Sequence, residues 1–215
     1  MSGHRLTVTF DNGPTPGVTE HVLDVLADHG VVSTFFTVGT DLAKPGRRAL
    51  LERAVAEGHW IGNHTMTHSI QFGADHSPDL PEREIAASQR IIGDLAHPDR
   101  PYRPWGRGGI LDELLLSDDA VAFLRDGGYS CVLWNSVPRD WDDPVGWVDR
   151  ALADIDAQEW TLMVIHDIRS GAMDRLDDFL TAAERSGVEL RQDYPDALVP
   201  IRRGELTGSL AGLVS

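Results

Sequence analysis

Short apolar runs alternate with longer amphipathic stretches along most of the chain. The apolar runs are rich in β-branched and aromatic side chains, which favours strands, whereas the amphipathic stretches repeat at the helical period. Strands are predicted at residues 5–10, 32–38, 59–62, 129–134, 161–166 and 188–191. Helices are predicted at residues 18–29, 47–57, 81–95, 111–126, 145–157 and 175–186. This alternation implies crossover units and a parallel sheet or barrel of the α/β class.

The pattern also indicates how many domains the chain forms. Gly30, Gly58 and Gly187 follow predicted helices and mark their ends. No internal repeat or Pro/Ser-rich linker divides the chain, and 215 residues suit one large domain. We therefore expect a single domain over residues 1–203, followed by a loosely held tail over residues 204–215.

The first predicted strand ends in an acid and an amide, Asp11 and Asn12, followed by Gly13 and Pro14. A Gly-Pro pair stops a strand and lets the neighbouring polar side chains point into a cleft. In parallel α/β architectures, active sites gather at the carboxyl ends of the strands. Asp11 is thus a candidate base, whereas Asn12 offers only a neutral ligand or a hydrogen-bonding group.

Two histidines four residues apart, His64 and His68, follow the predicted strand at residues 59–62. On a helix or in a tight turn, this spacing lets both rings reach one metal ion. Because the chain has nine histidines, a chance pair is the competing interpretation. The position at a strand end favours metal binding over that alternative.

Three further groups lie later in the chain. His166 closes the strongest apolar strand, where it is either a buried core residue or a general acid or base, since its pKa lies nearest neutral pH. Arg103 stands in a stiff aromatic loop, and Asp140 and Trp141 follow a predicted strand. A surface arginine or a packing tryptophan is the usual explanation for such residues when they are taken alone.

The composition of the chain argues against several classes of function. The formal net charge of −15 opposes a phosphate backbone and no basic stripe is present, so nucleic-acid binding is disfavoured. The single cysteine, Cys131, excludes an intrachain disulfide framework and a Cys-rich zinc site. No stretch is long and apolar enough to span a bilayer, and no leader is visible before the first strand. We therefore expect no membrane partner and a cytoplasmic protein, or a secreted one if a leader has been removed.

The order of these groups resembles one protein family. The series T-F-D-[D/N]-G-P, H-T-x-x-H, R-P-[aromatic]-G, D-W and an apolar strand ending in His-Asp is similar to the polysaccharide deacetylases. These are the NodB-type N-deacetylases of chitin, chitooligosaccharides and peptidoglycan. Residues 33–39 and 57–64 also resemble the family's second strand and its approach to the histidine motif. The likeness covers residues 5–200 and implies a distorted (β/α)7-type barrel.

The resemblance implies three groups of site residues. The proton-transfer group consists of Asp11 as the base, Arg103 as the arginine that holds it, His166 as the catalytic histidine and Asp140 as the acid that tunes it. The metal-binding positions are Asn12, His64 and His68. The positions at the substrate pocket are Trp105, Trp141 and Ile165.

The implied reaction is hydrolysis of a non-peptide carbon–nitrogen bond with a divalent metal ion, zinc first and cobalt, nickel or manganese as alternatives. Such an ion activates water and polarises the carbonyl. Asp11 would take the proton of the water while Arg103 keeps the carboxylate ionised. The oxyanion would bind between the metal and a backbone N–H of the loop at Trp105, and His166 would protonate the departing nitrogen.

Two positions depart from the family's pattern. Asn12 replaces an aspartate, so the site should hold its ion less tightly. Relatives that act on cyclic imides or ureides without a metal are known in this superfamily, but the retention of both His64 and His68 favours a metal. The loop from Arg103 to Gly106 is one residue shorter than the family's R-P-P-Y-G, and Trp105 would narrow the cleft.

The leading hypothesis is therefore a metal-dependent N-deacetylase of an N-acetylated sugar or oligosaccharide. The first alternative is a cytosolic amidohydrolase of a small amide or cyclic imide, with or without a metal. The second is an inactive carbohydrate-binding barrel, which the retention of Asp11, Arg103, Asp140 and His166 disfavours. The expected partner is an N-acetylated carbohydrate or a small amide, and the sequence leaves the oligomeric state open.

Overall fold

The computed structural model of the protein describes residues 3–215. Within that range, nine β-strands form one sheet, accompanied by seven α-helices. The strands are β1 (Arg5–Asp11), β2 (Thr34–Thr37), β3 (Trp60–Asn63), β4 (Pro101–Tyr102), β5 (Ser130–Cys131), β6 (Trp160–His166), β7 (Glu189–Arg191), β8 (Ile201–Arg202) and β9 (Glu205–Leu206). The helices are α1 (Thr19–His29), α2 (Gly39–Leu42), α3 (Arg47–Ala56), α4 (Ala87–Ile92), α5 (Asp118–Asp126), α6 (Trp147–Ala157) and α7 (Leu176–Ser186). None of the helices in these residues is long and apolar enough to cross a membrane.

Most of the sheet is parallel. The strands β6-β1-β2-β3-β4-β5 pair in parallel in that order, and β8 and β9 extend the sheet as an antiparallel hairpin. A bridge between Ser136 and Met163 joins the chain after β5 to β6, which brings the two ends of the parallel part together. The predicted α/β barrel architecture is confirmed.

The central strand β1 turns apolar side chains to one face and polar side chains to the other. Leu6, Val8 and Phe10 are at most 2% exposed and pack in the main apolar cluster with side chains of α1 and α7. Each such side chain contributes about 1.5–3 kcal/mol when fully buried. Thr9 and Asp11 alternate with them and therefore point to the other face of the strand, into the barrel interior.

Two predicted helices differ from the observed ones. The helix predicted at residues 111–126 begins only at Asp118, because the Ser117 hydroxyl caps it by accepting a hydrogen bond from the Ala120 N–H at 3.2 Å. The helix predicted at residues 81–95 is not a uniform α-helix. It begins with a π-helical turn at Glu82–Ala86, continues as α4 and ends in a short 3-10 turn.

The strand predicted at residues 129–134 is shortened to Ser130–Cys131. Beyond Cys131 the backbone leaves the regular ladder, since the Leu133 N–H bonds to the Leu198 carbonyl outside the sheet. The apolar run is nevertheless buried, which explains why its composition resembled a longer strand. The two-residue strands β4, β8 and β9 were not predicted because they are too short to show an alternating pattern.

Residues 204–215, predicted as a loosely held tail, contact the barrel. Leu213 and Val214 pack against a buried apolar cluster. The Leu116 N–H donates to the Leu213 carbonyl at 3.0 Å, and the Ser215 N–H donates to the Leu116 carbonyl at 3.3 Å. The last residues are therefore held by the body of the protein, while the domain boundary after residue 203 stays a prediction.

Candidate active site

The carboxyl ends of the parallel strands surround one pocket with a volume of about 290 Å³. β1 and β6 pair with Asp11 directly beside His166, which brings these two side chains to the same edge of the sheet. Of the predicted site residues, the pocket is lined by Asp11, Asn12, His64, His68, Trp105, Trp141 and His166. Arg103 and Asp140 are fully buried and do not line the pocket. Arg103 pairs with Asp11, and Asp140 pairs with His166.

Asp11 is held by Arg103 in a buried ion pair. The Arg103 Nη1 atom lies 2.8 Å from Asp11 Oδ1 and 2.6 Å from Thr9 Oγ1, and the guanidinium lies over the Phe36 ring at 4.0 Å from its centroid. Burial by itself raises the pKa of Asp11, but the Arg103 charge and the neighbouring His64 and His166 outweigh it and hold that pKa below its usual value. The carboxylate is therefore ionised and fixed in one orientation.

The two histidines of the predicted metal motif lie in an irregular turn after β3. His64 Nδ1 lies 2.8 Å from the Arg103 carbonyl oxygen, so that Nδ1 carries the proton and Nε2 keeps its lone pair. His64 Nε2 lies 3.4 Å from Asp11 Oδ2. The centroids of the His64 and His68 rings are 4.7 Å apart. Burial lowers the pKa of both imidazoles, and the cost of placing a second positive charge beside His64 adds to it at His68, whose pKa is lowered to about 3. Both imidazoles are therefore neutral at pH 7, the form that binds metals.

Asn12, His64 and His68 offer an amide oxygen and two neutral imidazoles, which are donor types that divalent cations accept. Asn12 Oδ1 is buried without a hydrogen-bond partner among the described residues, on a side chain that lines the pocket. Asn12 also has a φ of 76°, a left-handed conformation that asparagine tolerates better than most residues. No group of three His, Cys, Asp or Glu side chains in residues 3–215 is arranged to hold a metal. The candidate ligands are thus one amide oxygen and two imidazole nitrogens.

His166 is paired with a buried carboxylate. Its Nδ1 atom lies 2.9 Å from Asp140 Oδ1, and its backbone N–H donates to Asp140 Oδ2 at 2.9 Å. Burial lowers the pKa of His166, but the hydrogen bond and the charge of Asp140 outweigh it, so that the pKa is raised above its usual value. The Trp141 ring packs edge-on against the imidazole at a centroid distance of 4.8 Å. The arrangement favours a protonated, oriented imidazole.

One predicted substrate residue needs correction. Ile165 does not line the pocket: it is fully buried in the apolar layer outside the barrel, beside Phe10 of β1. Successive side chains of a strand point to opposite faces, so the neighbouring Val164 faces the pocket instead. Val164 and Ile168 are the apolar side chains in and just after β6 that line the pocket.

Sequence reasoning gave no role to Asp167, which is fully buried behind the end of β1. Its Oδ2 atom accepts a hydrogen bond from Thr19 Oγ1 at the start of α1, and burial raises its pKa to about 7. A β-carbon at position 13 would overlap the Asp167 carboxylate, so only glycine fits there. The His-Asp doublet was visible in the sequence, but nothing local marked Thr19 or Gly13 as its partners.

The chain is similar in sequence to known deacetylases. The polysaccharide deacetylase family profile matches residues 1–123. The chain is 36% identical over 168 residues to a chitooligosaccharide deacetylase of Sinorhizobium fredii, which covers 74% of this chain and 70% of that protein. It is 30% identical over 141 residues to a peptidoglycan-N-acetylglucosamine deacetylase of Bacillus cereus, covering 65% of this chain and 61% of that one.

Solved structures show the same fold. A family 4 acetyl xylan esterase from Clostridium thermocellum, solved in complex with a cobalt ion, matches with a TM-score of 0.69 at 25% identity, over 87% of each chain. A family 4 carbohydrate esterase from Streptomyces lividans matches in fold with a TM-score of 0.73 over 93% of this chain and 96% of that one, at 19% identity. By its sequence and its fold, the chain belongs to the polysaccharide deacetylase family.

Proposed function

We propose that the protein removes the acetyl group from an N-acetylated sugar or short oligosaccharide by hydrolysing its amide bond. The observation that carries this proposal is the adjacency of Asp11, paired with Arg103, and His166, paired with Asp140, in one pocket. Amide hydrolysis needs both groups, since a base must activate water and an acid must protonate the departing amine. The carbohydrate substrate is supported by the named relatives, which are deacetylases of chitooligosaccharides and peptidoglycan.

Asp11 is the proposed base. Arg103 occupies one of its oxygens, Oδ1, and leaves Oδ2 on the side of His64 to accept a proton from the attacking water. The ion pair keeps Asp11 ionised in the buried site, which is the state that a base requires. Arg103 thus acts on the orientation and protonation of Asp11 without contacting the substrate.

His166 is the proposed acid. Its Nδ1 atom faces Asp140, so its Nε2 atom is free to donate a proton to the amine nitrogen as the carbon–nitrogen bond breaks. Asp140 holds the ring in that orientation with both of its carboxylate oxygens. One oxygen pairs with the ring Nδ1 atom, and the other accepts a hydrogen bond from the His166 backbone N–H. The pocket residues Trp141 and Val164 offer apolar contacts for the acetyl methyl group.

Asn12, His64 and His68 are the proposed ligands of a divalent cation. When bound, such a cation supplies Lewis acidity for the amide carbonyl and lowers the pKa of the attacking water. Zinc is the leading candidate because two neutral imidazoles and one oxygen match its preferred ligands, and cobalt, nickel and manganese are the alternatives. His64 is fixed for this role by its Nδ1–H bond to the Arg103 carbonyl.

The test measures acetate release from N-acetylglucosamine, chitooligosaccharides and peptidoglycan fragments, and follows ring opening of cyclic imides in a separate assay. We expect acetate from at least one N-acetylated sugar, and loss of that activity in the matched variants Asp11→Asn and His166→Gln. Absence of acetate from every sugar by a folded, cation-loaded protein would contradict the proposal.

A second candidate function is hydrolysis of a small amide or cyclic imide. The observation that favours it is the restricted, aromatic pocket: about 290 Å³, with Trp105, Trp134 and Trp141 in its lining. A small ring compound fits an aromatic pocket of this size. Turnover of cyclic imides that survives a chelator would favour this candidate over the sugar deacetylase.

A further inference from the structure

A buried carboxylate outside the proton-transfer group supports the loop that carries both histidines. Glu84 is 3% exposed and lies in the π-helical turn Glu82–Ala86. Its Oε2 atom accepts hydrogen bonds from the backbone N–H groups of Met66 at 3.1 Å and Thr67 at 2.9 Å. Its Oε1 atom accepts a third from Thr67 Oγ1 at 2.8 Å. All three bonds therefore end on the segment between His64 and His68.

The same π-helical turn holds the start of the loop through Asn63. Asn63 Nδ2 donates to the Ile85 carbonyl at 2.9 Å, and Asn63 Oδ1 accepts from the Thr65 N–H at 3.0 Å. π-Helical turns are rare: they occur mostly as single turns within helices, and they are frequent at functional sites. The turn thus holds the loop at two places. The Ile85 carbonyl binds Asn63 at its start, and the Glu84 side chain binds the segment between His64 and His68.

The loop needs such support because its backbone is strained. Thr65 and His68 have φ values of 65° and 53°, in the left-handed region that residues other than glycine rarely adopt. For a β-branched residue such as Thr65 this conformation is a true outlier. Residues keep such conformations only where contacts with the surrounding structure hold them in place. Such residues are often found together at active and binding sites.

We propose that Glu84 is a positioning residue that fixes His64 and His68 in the geometry for cation binding. This inference rests on the proposed role of the two histidines as ligands. The carboxylate stabilises the strained turn through backbone N–H groups, so that both imidazoles keep their places before a cation arrives. Groups that orient metal ligands in this way typically change affinity by about 10- to 100-fold when removed.

The experiment measures Co²⁺ and Zn²⁺ affinity by competition with a chelator in Glu84→Ala, Glu84→Gln and Glu82→Ala. Glu84→Ala should weaken affinity by about 10- to 100-fold. Glu84→Gln should stay within about threefold, because its amide oxygen still accepts the two backbone N–H groups while its NH₂ donates to Thr67 Oγ1. Glu82→Ala is the matched control, since Glu82 lies in the same turn but is exposed and pairs with Arg90.

Hydrogen exchange of the cation-free protein gives an independent readout. The amides of Met66 and Thr67 should exchange faster in Glu84→Ala than in the wild type, and at the wild-type rate in Glu84→Gln. Wild-type affinity and exchange in Glu84→Ala would overturn the role of Glu84, as would an equal loss in both Glu84 variants. A wild-type protein that binds neither cation would instead overturn the proposed ligand role of the histidines, and this inference with it.

Discussion

Asn12 brings an oxygen but no charge to the proposed cation site. Replacing Asn12 with Asp adds a negative charge beside the cation without changing the length of the side chain. We expect the Zn²⁺ dissociation constant to fall by about tenfold or more, because the charge acts in a buried site of low effective dielectric. Asn12→Gly is the matched control: glycine accepts the φ of 76° but removes the oxygen, so its affinity should fall. An unchanged or weaker affinity in Asn12→Asp, measured by chelator competition, would show that residue 12 is not a ligand.

Asp11 is the proposed base and is also one half of a buried ion pair with Arg103. Asp11→Asn keeps the shape of the side chain but removes the base, so kcat should fall by about 10²- to 10⁴-fold. The same change leaves Arg103 buried without its counter-charge, which should lower the free energy of unfolding by about 3–5 kcal/mol. Steady-state kinetics and chemical denaturation measure the two effects. Full turnover in Asp11→Asn would contradict the assigned base.

The pair of Asp140 and His166 predicts a pH dependence for catalysis. A general acid must be protonated, so kcat should fall as the pH rises through the raised pKa of His166. Asp140→Asn removes the charge that raises this pKa and leaves the burial that lowers it. The alkaline limb of the kcat profile should therefore move to lower pH in the variant. A limb that stays in place would mean that another group supplies the proton.

At the scale of residues, the sequence located most of the candidate site but not its surroundings. Asp11, His64 and His166 were found because they follow recognisable strands and stand in a recognisable order. Ile165 was expected in the pocket but lies on the other face of β6. Side chains alternate along the strand, so its neighbour Val164 faces the pocket. Glu84 was not found at all, since its contacts with Met66 and Thr67 exist only after the chain folds.

At the scale of elements, long periodic segments were predicted better than short or capped ones. α1 and β6 match their predicted ranges to within one or two residues, because each carries a clear period and one buried face. α5 starts later than predicted because a single serine hydroxyl decides where it begins. The π-helical turn before α4 was not predicted, because no local sequence pattern distinguishes it from an α-helical turn and its contact with Asn63 is a tertiary one.

The contact between α1 and α7 predicts a pH-dependent contribution to stability. His29, the last residue of α1, lies 3.0 Å from Asp177 and 2.9 Å from Glu184 of α7. Burial lowers the pKa of His29, but the two carboxylates outweigh it and raise the pKa above 6.5. The contact therefore stabilises the fold fully below pH 6.5, and this contribution is lost as the pH rises through the raised pKa.

His29→Gln removes that contribution. Because both carboxylates are well exposed, we expect a loss below about 1 kcal/mol at pH 5.5 and a smaller difference from the wild type at pH 9. Urea denaturation of both proteins at the two pH values measures the difference. A larger loss at pH 9 than at pH 5.5 would contradict the assignment.

At the scale of the whole molecule, the proposed cation links distant parts of the chain. Asn12 follows β1, whereas His64 and His68 follow β3, and the three meet only in the folded barrel. A cation bound to the folded state alone stabilises it by about 2.7 kcal/mol at a free concentration 100 times the dissociation constant. Added Zn²⁺ should therefore raise the melting temperature of the wild type more than that of Asn12→Gly. An equal response in the two proteins would place the cation elsewhere.

The register between β1 and β6 has a consequence for how this protein can change through evolution. Asp11 and His166 are neighbours because two strands pair through their backbones, at the fixed spacing of about 4.8 Å between strands. No loop sets that separation. The glycine-rich segment at residues 106–109 and the loop at Val137 line the pocket without setting that separation, so a change there alters what enters the pocket and leaves Asp11 and His166 in place. The spacing of Asp11 and His166 is therefore preserved as long as the sheet is preserved, and the loops around the pocket determine which substrates can enter.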